Sequence, residues 1–234
     1  MWVAWARPSG GAAHTHRVLP DNCVDILWQD TGGSGFAVGM MSSAIQVASS
    51  GPVRTVAVRF KAGAAGRFLG LPLHVLTDQR GDIDQLWGRS DAEQLADALW
   101  SGELSNLERI ALIEADLLAR LRQQAAEPAS SDVLIRQALA ALDDSHGTVR
   151  IEELAAQMRV SRQHMAAQFR ANVGLSPKLY ARIVRFRRAT AALREAPSPD
   201  FAQLALECGY FDQSHLIHDF QEFSGSAPER FLSA

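Results

Sequence analysis

Nine basic residues and no acidic residue lie between Leu154 and Arg194 of this 234-residue chain. They are Arg159, Arg162, Arg170, Lys178, Arg182, Arg185, Arg187, Arg188 and Arg194. Guanidinium and ammonium groups neutralise phosphates, whereas a surface that meets only water normally intersperses its charges. This separation of charges therefore indicates phosphate binding. It is hidden in the totals, because residues 132–234 contain twelve Lys and Arg and twelve Asp and Glu, and the whole chain carries a formal net charge of -3.

A second set of side chains could contact base edges, in two stretches fifty-one residues apart that each follow a Ser or Asp able to cap a helix. Arg and Gln suit bidentate hydrogen bonds to guanine and adenine, whereas Ala and Ile offer only apolar contact, for example to a thymine methyl. The predicted base-reading residues are Arg162, Gln163, Ala166, Ala167, Gln213, Ser214, Ile217 and His218. The predicted phosphate-binding residues are Arg170, Lys178, Arg182, Arg185, Arg188 and Gln221.

An internal repeat supplies the elements that would position these side chains. Ile151, Leu154, Ala155 and Met158 match Phe201, Leu204, Ala205 and Cys208, and one residue inserted in the second turn then pairs Ser161 with Asp212, Met165 with Leu216, Phe169 with Phe220, Gly174 with Gly225 and Pro177 with Pro228. Each copy predicts a short packed helix, a tight turn and a capped second helix, which is a helix-turn-helix. The paired apolar residues anchor each second helix, so its opposite face is free for a DNA groove. The alternative, a merely solvated helix face, is disfavoured because the pattern occurs twice.

The rest of the chain predicts two domains. Strands are expected at Trp2–Ala6, Cys23–Trp28, Ala44–Ala48 and Arg54–Phe60, followed by helices at Ala62–Leu69, Asp91–Trp100 after a Ser90 cap and Asn106–Leu121 after a Ser105 cap. Residues 123–131 are polar and small and predict a linker. Ser176 and Pro177 predict the start of a helix that runs to Arg194 and joins the two units. We therefore expect an α+β domain over residues 1–122 and an all-α double helix-turn-helix domain over residues 132–234.

The C-terminal hundred residues resemble the AraC/XylS family of transcription regulators. The resemblance lies in Ile151-Glu152-Glu153-Leu154-Ala155, Gly174-Leu175-Ser176-Pro177, Gly209-Tyr210-Phe211-Asp212-Gln213-Ser214-His215-Leu216, Phe220 and Gly225-Ser226-Ala227-Pro228. It implies that both recognition helices enter successive major grooves on one face of the duplex, held apart by the linker helix. It also implies that Arg162, Gln163, Gln213, Ser214 and His218 are readers. At Ala166 and Ala167 many relatives carry longer polar side chains, so base readout by the first unit is expected to be sparse.

Family members often place effector binding or dimerisation in the N-terminal region, so the expected partners are double-stranded DNA, a small-molecule effector, a second copy of the chain and RNA polymerase. The weak candidates for a metal site are His14, His16, Asp21 and Cys23, whose side-chain types can bind transition metals. Against a metal, Pro20-Asp21-Asn22 is typical of a turn and Cys23 of a buried strand residue. We expect no metal and no cofactor. The N-terminal aromatic residues could pack as core or line an apolar ligand pocket.

The competing functions are an enzyme and a nonspecific DNA binder. A DNA-repair methyltransferase can carry a similar DNA-binding module, but its zinc-bound cysteine cluster has no counterpart in Cys23 and Cys208, the two cysteines of the chain. We therefore expect no enzymatic activity. A nonspecific architectural binder would show the same affinity for every sequence. The low cysteine content, the absence of a secretory leader pattern and the lack of a membrane span predict a cytoplasmic protein.

Overall fold

The computed structural model describes residues 2–6, 14–49, 53–123, 130–195 and 199–232. Its N-terminal part contains a five-stranded antiparallel sheet in the order β1-β6-β3-β4-β7 and a two-stranded sheet of β2 and β5. The strands are β1 Trp2–Ala6, β2 His14–Val18, β3 Val24–Gln29, β4 Phe36–Val38, β5 Ile45–Ser49, β6 Thr55–Phe60 and β7 Arg80–Asp82. Burial alternates along β3 and β6, so one face of the larger sheet packs into the core.

Helices cover that buried face. They are α1 Gly66–Leu69, a 3-10 helix at Leu73–Leu76, α2 Ile83–Trp87, α3 Arg89–Trp100 and α4 Asn106–Gln123. Ser105 caps α4 as predicted, because its hydroxyl and backbone amide both bond the Glu108 carboxylate and Glu108 N donates back to Ser105 Oγ. The predicted Ser90 cap is wrong, since α3 begins at Arg89 after Gly88.

The N-terminal aromatic side chains that the structure describes pack mainly into the core. Trp28 is fully buried, with its ring centroid 6.2 Å from that of Trp87. Phe60 is buried, and its ring lies 4.9 Å from Phe68. Trp28 and Phe60 therefore belong to the core, whereas Trp87 and Phe68 are half-buried and pack against it, and Phe68 also lines a cleft of about 700 Å³.

The C-terminal part is helical throughout its described residues, and it contains the two predicted helix-turn-helix units. The helices are α5 Ser130–Asp144, α6 Ile151–Gln157, α7 Arg162–Val173, α8 Pro177–Glu195, α9 Phe201–Glu207, α10 Gln213–Ser224 and α11 Pro228–Leu232. The predicted anchors Met165, Phe169, Leu216 and Phe220 are each fully buried. In α8, Phe186 contacts the Phe220 and Phe223 rings at 5.0 and 5.3 Å, so the linker helix and the second unit share one core.

The predicted fold class, an α+β domain followed by an all-α domain, is confirmed. All four predicted strands are present within a residue or so of their expected bounds, whereas β2, β4 and β7 were not predicted. Residues 124–129 of the predicted linker lie outside the described residues, and α4 and α5 end and begin beside them. In the part of the chain that the structure describes, no helix is both long enough and apolar enough to cross a membrane.

Candidate nucleic-acid interface

Both recognition helices, α7 and α10, are bounded by matching caps. Ser161 Oγ accepts a hydrogen bond from His164 N at 3.1 Å, and Asp212 Oδ1 accepts one from His215 N at 2.8 Å. Each helix then ends at a glycine in the left-handed conformation, Gly174 or Gly225. The sequence therefore fixes where each helix begins and ends, and with it which residues face outward.

The turns that precede these two helices are also similar, because each contains one residue with a positive φ angle. Arg159 has φ 56° in the first unit, and Gly209, fifty residues later, has φ 80° in the second. A non-glycine residue rarely adopts this conformation, so the first turn carries local strain that the second avoids. After each turn a capped recognition helix begins, three residues after Arg159 in the first unit and four residues after Gly209 in the second.

The predicted base-reading residues lie on one face of each recognition helix. The exposed ones are Arg162, Gln163 and Ala167 on α7 and Gln213, Ser214 and His218 on α10. Ala166 and Ile217 are half-buried, and they occupy equivalent positions in the repeat. The structure therefore places the eight predicted readers in two equivalent patches, one on each recognition helix, beside the buried anchors.

The predicted phosphate-binding residues fall into two groups. Arg170, Lys178, Arg188 and Gln221 are exposed. Arg185 is half-buried, its NH1 donates to Gly147 O at 2.7 Å, and its guanidinium lies 5.5 Å from the centre of the Tyr210 ring. Arg182 is also engaged within the domain, as described next. A helical wheel places four cations on one face of α8 without showing which of them meet partners from other helices, and the phosphate contacts of all six residues stay predictions.

Arg182 joins α8 to two carboxylates of α10. Its NH2 lies 2.6 Å from Asp219 Oδ1 and 2.6 Å from Glu222 Oε2, and the Asp219 side chain is fully buried. Burial alone would lower the pKa of Arg182, but the hydrogen bonds to Glu222 and Asp219 raise it overall. The hydrogen bond from Arg182 lowers the pKa of Glu222. The guanidinium therefore stays charged and offsets one of the two carboxylate charges of α10.

The same two carboxylates belong to a group with metal-ligand chemistry. Ligand atoms of His218, Asp219 and Glu222 lie within 4.8 Å of one another. The Arg182 guanidinium contacts both carboxylates at 2.6 Å, so a protein cation already balances their charge. This arrangement is typical of a structural ion-pair network.

Arg162 makes a weaker contact on the first unit. Its NH1 lies 3.2 Å from Glu152 Oε1, and more than half of each side chain is exposed. Such pairs contribute little to stability, and water or a phosphate can replace the carboxylate at small cost. Arg162 is therefore available for DNA in a way that Arg182 is not.

Phe211 is a candidate contact residue that the sequence analysis did not assign. It lies in the turn directly before the Asp212 cap, and 86% of it is exposed. The N-terminal end of a recognition helix is the part that enters the DNA groove. An exposed aromatic side chain there suits apolar contact with deoxyribose or a thymine methyl. Its position at the one-residue insertion in the second turn is the sequence signal that could have identified it.

Two of the four N-terminal metal candidates, Asp21 and Cys23, are engaged in other contacts. Asp21 Oδ2 pairs with Arg59 NH1 at 2.8 Å, and its Oδ1 accepts from Cys23 N at 3.1 Å, as the turn prediction requires. Burial, with Asp21 and Asp25 nearby, raises the pKa of Cys23 to about 11, which disfavours the thiolate that metals and electrophiles need. His16 is exposed, and the His14 side chain lies outside the described residues.

Two family models match the chain. Residues 154–234 match a family described as "Helix-turn-helix domain", and residues 1–82 match one described as "Domain of unknown function (DUF6597)".

The chain is also similar to curated regulators. The HTH-type transcriptional activator RhaS of Klebsiella pneumoniae (strain 342) is 33% identical over 113 residues, which cover 47% of this chain and 40% of RhaS. The Msm operon regulatory protein of Streptococcus mutans serotype c is 28% identical over 134 residues, which cover 57% of this chain and 46% of that protein. The matched stretch thus spans less than half the length of each relative.

Among solved structures, ToxT from Vibrio cholerae O395 aligns over 99% of this chain and 96% of that chain, with a TM-score of 0.45 and 13% identity. A likeness of this size supports no conclusion about fold or ligand.

Proposed function

We propose that the protein is a transcription regulator of the AraC/XylS type that binds a specific sequence of double-stranded DNA, because its C-terminal part matches a helix-turn-helix family and is similar to two curated regulators. The observation that carries the proposal is the pair of equivalent patches on α7 and α10, which two capped helices hold outward from a shared core. Two such helices in one chain suit successive major grooves about one helical turn apart.

The two units divide the work unequally. On α7, Arg162, Gln163 and Arg170 combine base contact with phosphate contact. On α10, Gln213 and Ser214 supply polar groups for base edges, whereas the helix contains no Lys or Arg. The first unit and α8 therefore provide most of the electrostatic attraction to phosphates, and the second unit provides more of the sequence specificity.

The proposal includes control of DNA binding by a small effector acting on the N-terminal domain. A polar cleft of about 630 Å³ lies there, and its lining includes Phe36 from β4 and Arg80 and Asp82 from β7. Its size suits a small molecule. The two strands lead to Met40 and Thr77, which contact the end of α7, so a ligand in the cleft has a short physical route to the first unit. Dimerisation and contact with RNA polymerase stay predictions.

In vitro selection of the full chain on random duplex DNA tests the proposed function. We expect a defined site with two halves about one turn apart. Gln213→Ala should then lose about tenfold to a hundredfold in discrimination between bases at one position. Arg188→Ala should lower the affinity for every DNA sequence and reduce the slope of log affinity against log salt concentration by about one. Equal affinity for selected and scrambled DNA would instead indicate an architectural binder. Methyl transfer from alkylated DNA would indicate a repair enzyme.

A further inference from the structure

The N-terminal domain contacts the C-terminal end of the first recognition helix. Thr77 Oγ1 donates a hydrogen bond to Gly174 O, the cap of α7, at 2.6 Å. The packing is close, because a Cβ on Gly174 would lie 3.2 Å from Leu73 O and 3.3 Å from Met40 Cγ. Gly174 therefore serves both as the left-handed cap of α7 and as the point where the N-terminal domain reaches this helix.

The same domain also contacts the C-terminal end of the second recognition helix. Arg17 NH1 donates to Ser224 O, in the last residue of α10, at 3.0 Å and to Ser226 Oγ at 3.4 Å. Its guanidinium lies 5.3 Å from the centre of the Phe231 ring. A cation at a helix C-terminus meets the negative end of the helix dipole, so the contact is electrostatically favourable. Arg17 is 207 residues from Ser224, so this is a long-range tie and not a local cap.

Two further hydrogen bonds join the domain to the linker helix between the units. Asn22 Nδ2 donates to Tyr180 O at 3.3 Å, and Arg187 NH1 donates to Asp21 O at 3.0 Å. Asn22 is buried and adopts φ 60°, a conformation that asparagine tolerates better than most residues. The N-terminal part therefore contacts α7, α8 and α10 together.

From these contacts we propose that Thr77 and Arg17 are positioning residues that fix the separation of the two recognition helices, so that the N-terminal domain sets which half-site spacing the protein accepts. This inference rests on the proposed function. Adding one base pair shifts a half-site by about 3.4 Å and rotates it by about a tenth of a turn. Helices tied at their far ends to one domain cannot follow that displacement, whereas helices joined only through α8 have more freedom.

The test uses the full chain and the DNA site that the wild-type protein selects from random duplexes. The site is resynthesised with one or two base pairs added or removed between its halves, and affinities are measured by fluorescence anisotropy. The variants are Thr77→Val, which removes the hydroxyl at constant volume, and Arg17→Met, which removes the charge and keeps most of the stem. Thr77→Ser retains the hydroxyl, and Lys61→Met removes an exposed cation of the same domain.

We expect the wild type, Thr77→Ser and Lys61→Met to discriminate strongly between spacings. Thr77→Val and Arg17→Met should each narrow the ratio of affinities between the selected and altered spacings by about three- to tenfold, which is the range of one lost hydrogen bond. A merely structural role would weaken binding at every spacing by one common factor. That result, or unchanged ratios in Thr77→Val, would overturn the inference and leave the proposed function intact. If Arg17→Met does not fold by circular dichroism, Thr77→Val decides alone. A wild-type chain that selects no site would overturn the proposed function itself.

Discussion

Replacing Arg182 by Met should destabilise the DNA-binding domain by about 3 kcal/mol, because it leaves a buried carboxylate without a cation. The Asp219 side chain is fully buried, and Arg182, with 19% of its side chain exposed, contacts it at 2.6 Å. Breaking a buried pair costs about 3–5 kcal/mol, and the partial exposure of Arg182 places the loss at the lower end. The contact with Glu222, which is 41% exposed, adds less than about 1 kcal/mol. Methionine preserves apolar packing beside Phe223.

Urea unfolding of the full chain at pH 7, followed by circular dichroism, measures this loss. Arg188→Met is the matched control, since Arg188 is exposed on the same helix and its removal should change stability by less than about 0.5 kcal/mol. The pKa of Glu222 is lowered below its ordinary 4.5, so its share of the stability is present above that pH and is lost as pH falls through the folded-state pKa. The difference in the free energy of unfolding between wild type and Arg182→Met should therefore decrease at acidic pH. A loss below about 1 kcal/mol at pH 7, or one equal to that of Arg188→Met, would refute the reasoning.

Three further predictions concern single side chains. Ser161→Ala and Asp212→Ala each remove a helix cap and should cost about 1 kcal/mol in urea unfolding, whereas capping-competent Ser161→Thr and Asp212→Asn should cost less. Phe211→Ala should leave stability unchanged and weaken binding of the selected DNA about fivefold in anisotropy, from about 1 kcal/mol of lost apolar contact; unchanged affinity would remove Phe211 from the interface. Cys23, with its pKa raised to about 11, should react with iodoacetamide far more slowly than glutathione at pH 8 and accelerate towards pH 11; rapid alkylation at pH 8 would contradict the raised pKa of this half-buried thiol.

Elements with a long, clear periodicity could be predicted from the sequence, and short or long-range features could not. The four-residue spacing of Met165 and Phe169, with a Ser cap before them, sufficed to place α7 and its outward face. By contrast, β4 and β7 contain three residues each, too few for an alternating pattern. Their positions depend on pairing with distant strands, which a single sequence does not reveal.

The candidate site shows the same limit. The sequence groups Arg182 and Arg188 on one broad face of α8, but Arg182 meets carboxylates of α10, the nearer one 37 residues away, and Arg188 is exposed. Phe211 was missed for a different reason, because its exposure departs from the usual behaviour of aromatic residues. Which cations remain free for phosphates is thus decided by tertiary contacts.

The ion pairs of Arg182 also decide how a recognition helix with no Lys or Arg can approach phosphates. Asp219 and Glu222 lie on α10, and without Arg182 they would give this helix two uncompensated negative charges. Arg182→Met should therefore weaken DNA binding through repulsion, whether or not Arg182 also contacts a phosphate. The triple variant Arg182→Met, Asp219→Asn, Glu222→Gln separates the two explanations, because it removes the repulsion together with the cation. Recovery of affinity in anisotropy at low salt is expected if Arg182 acts by neutralisation, whereas an affinity as low as that of Arg182→Met would mean that the guanidinium itself binds phosphate.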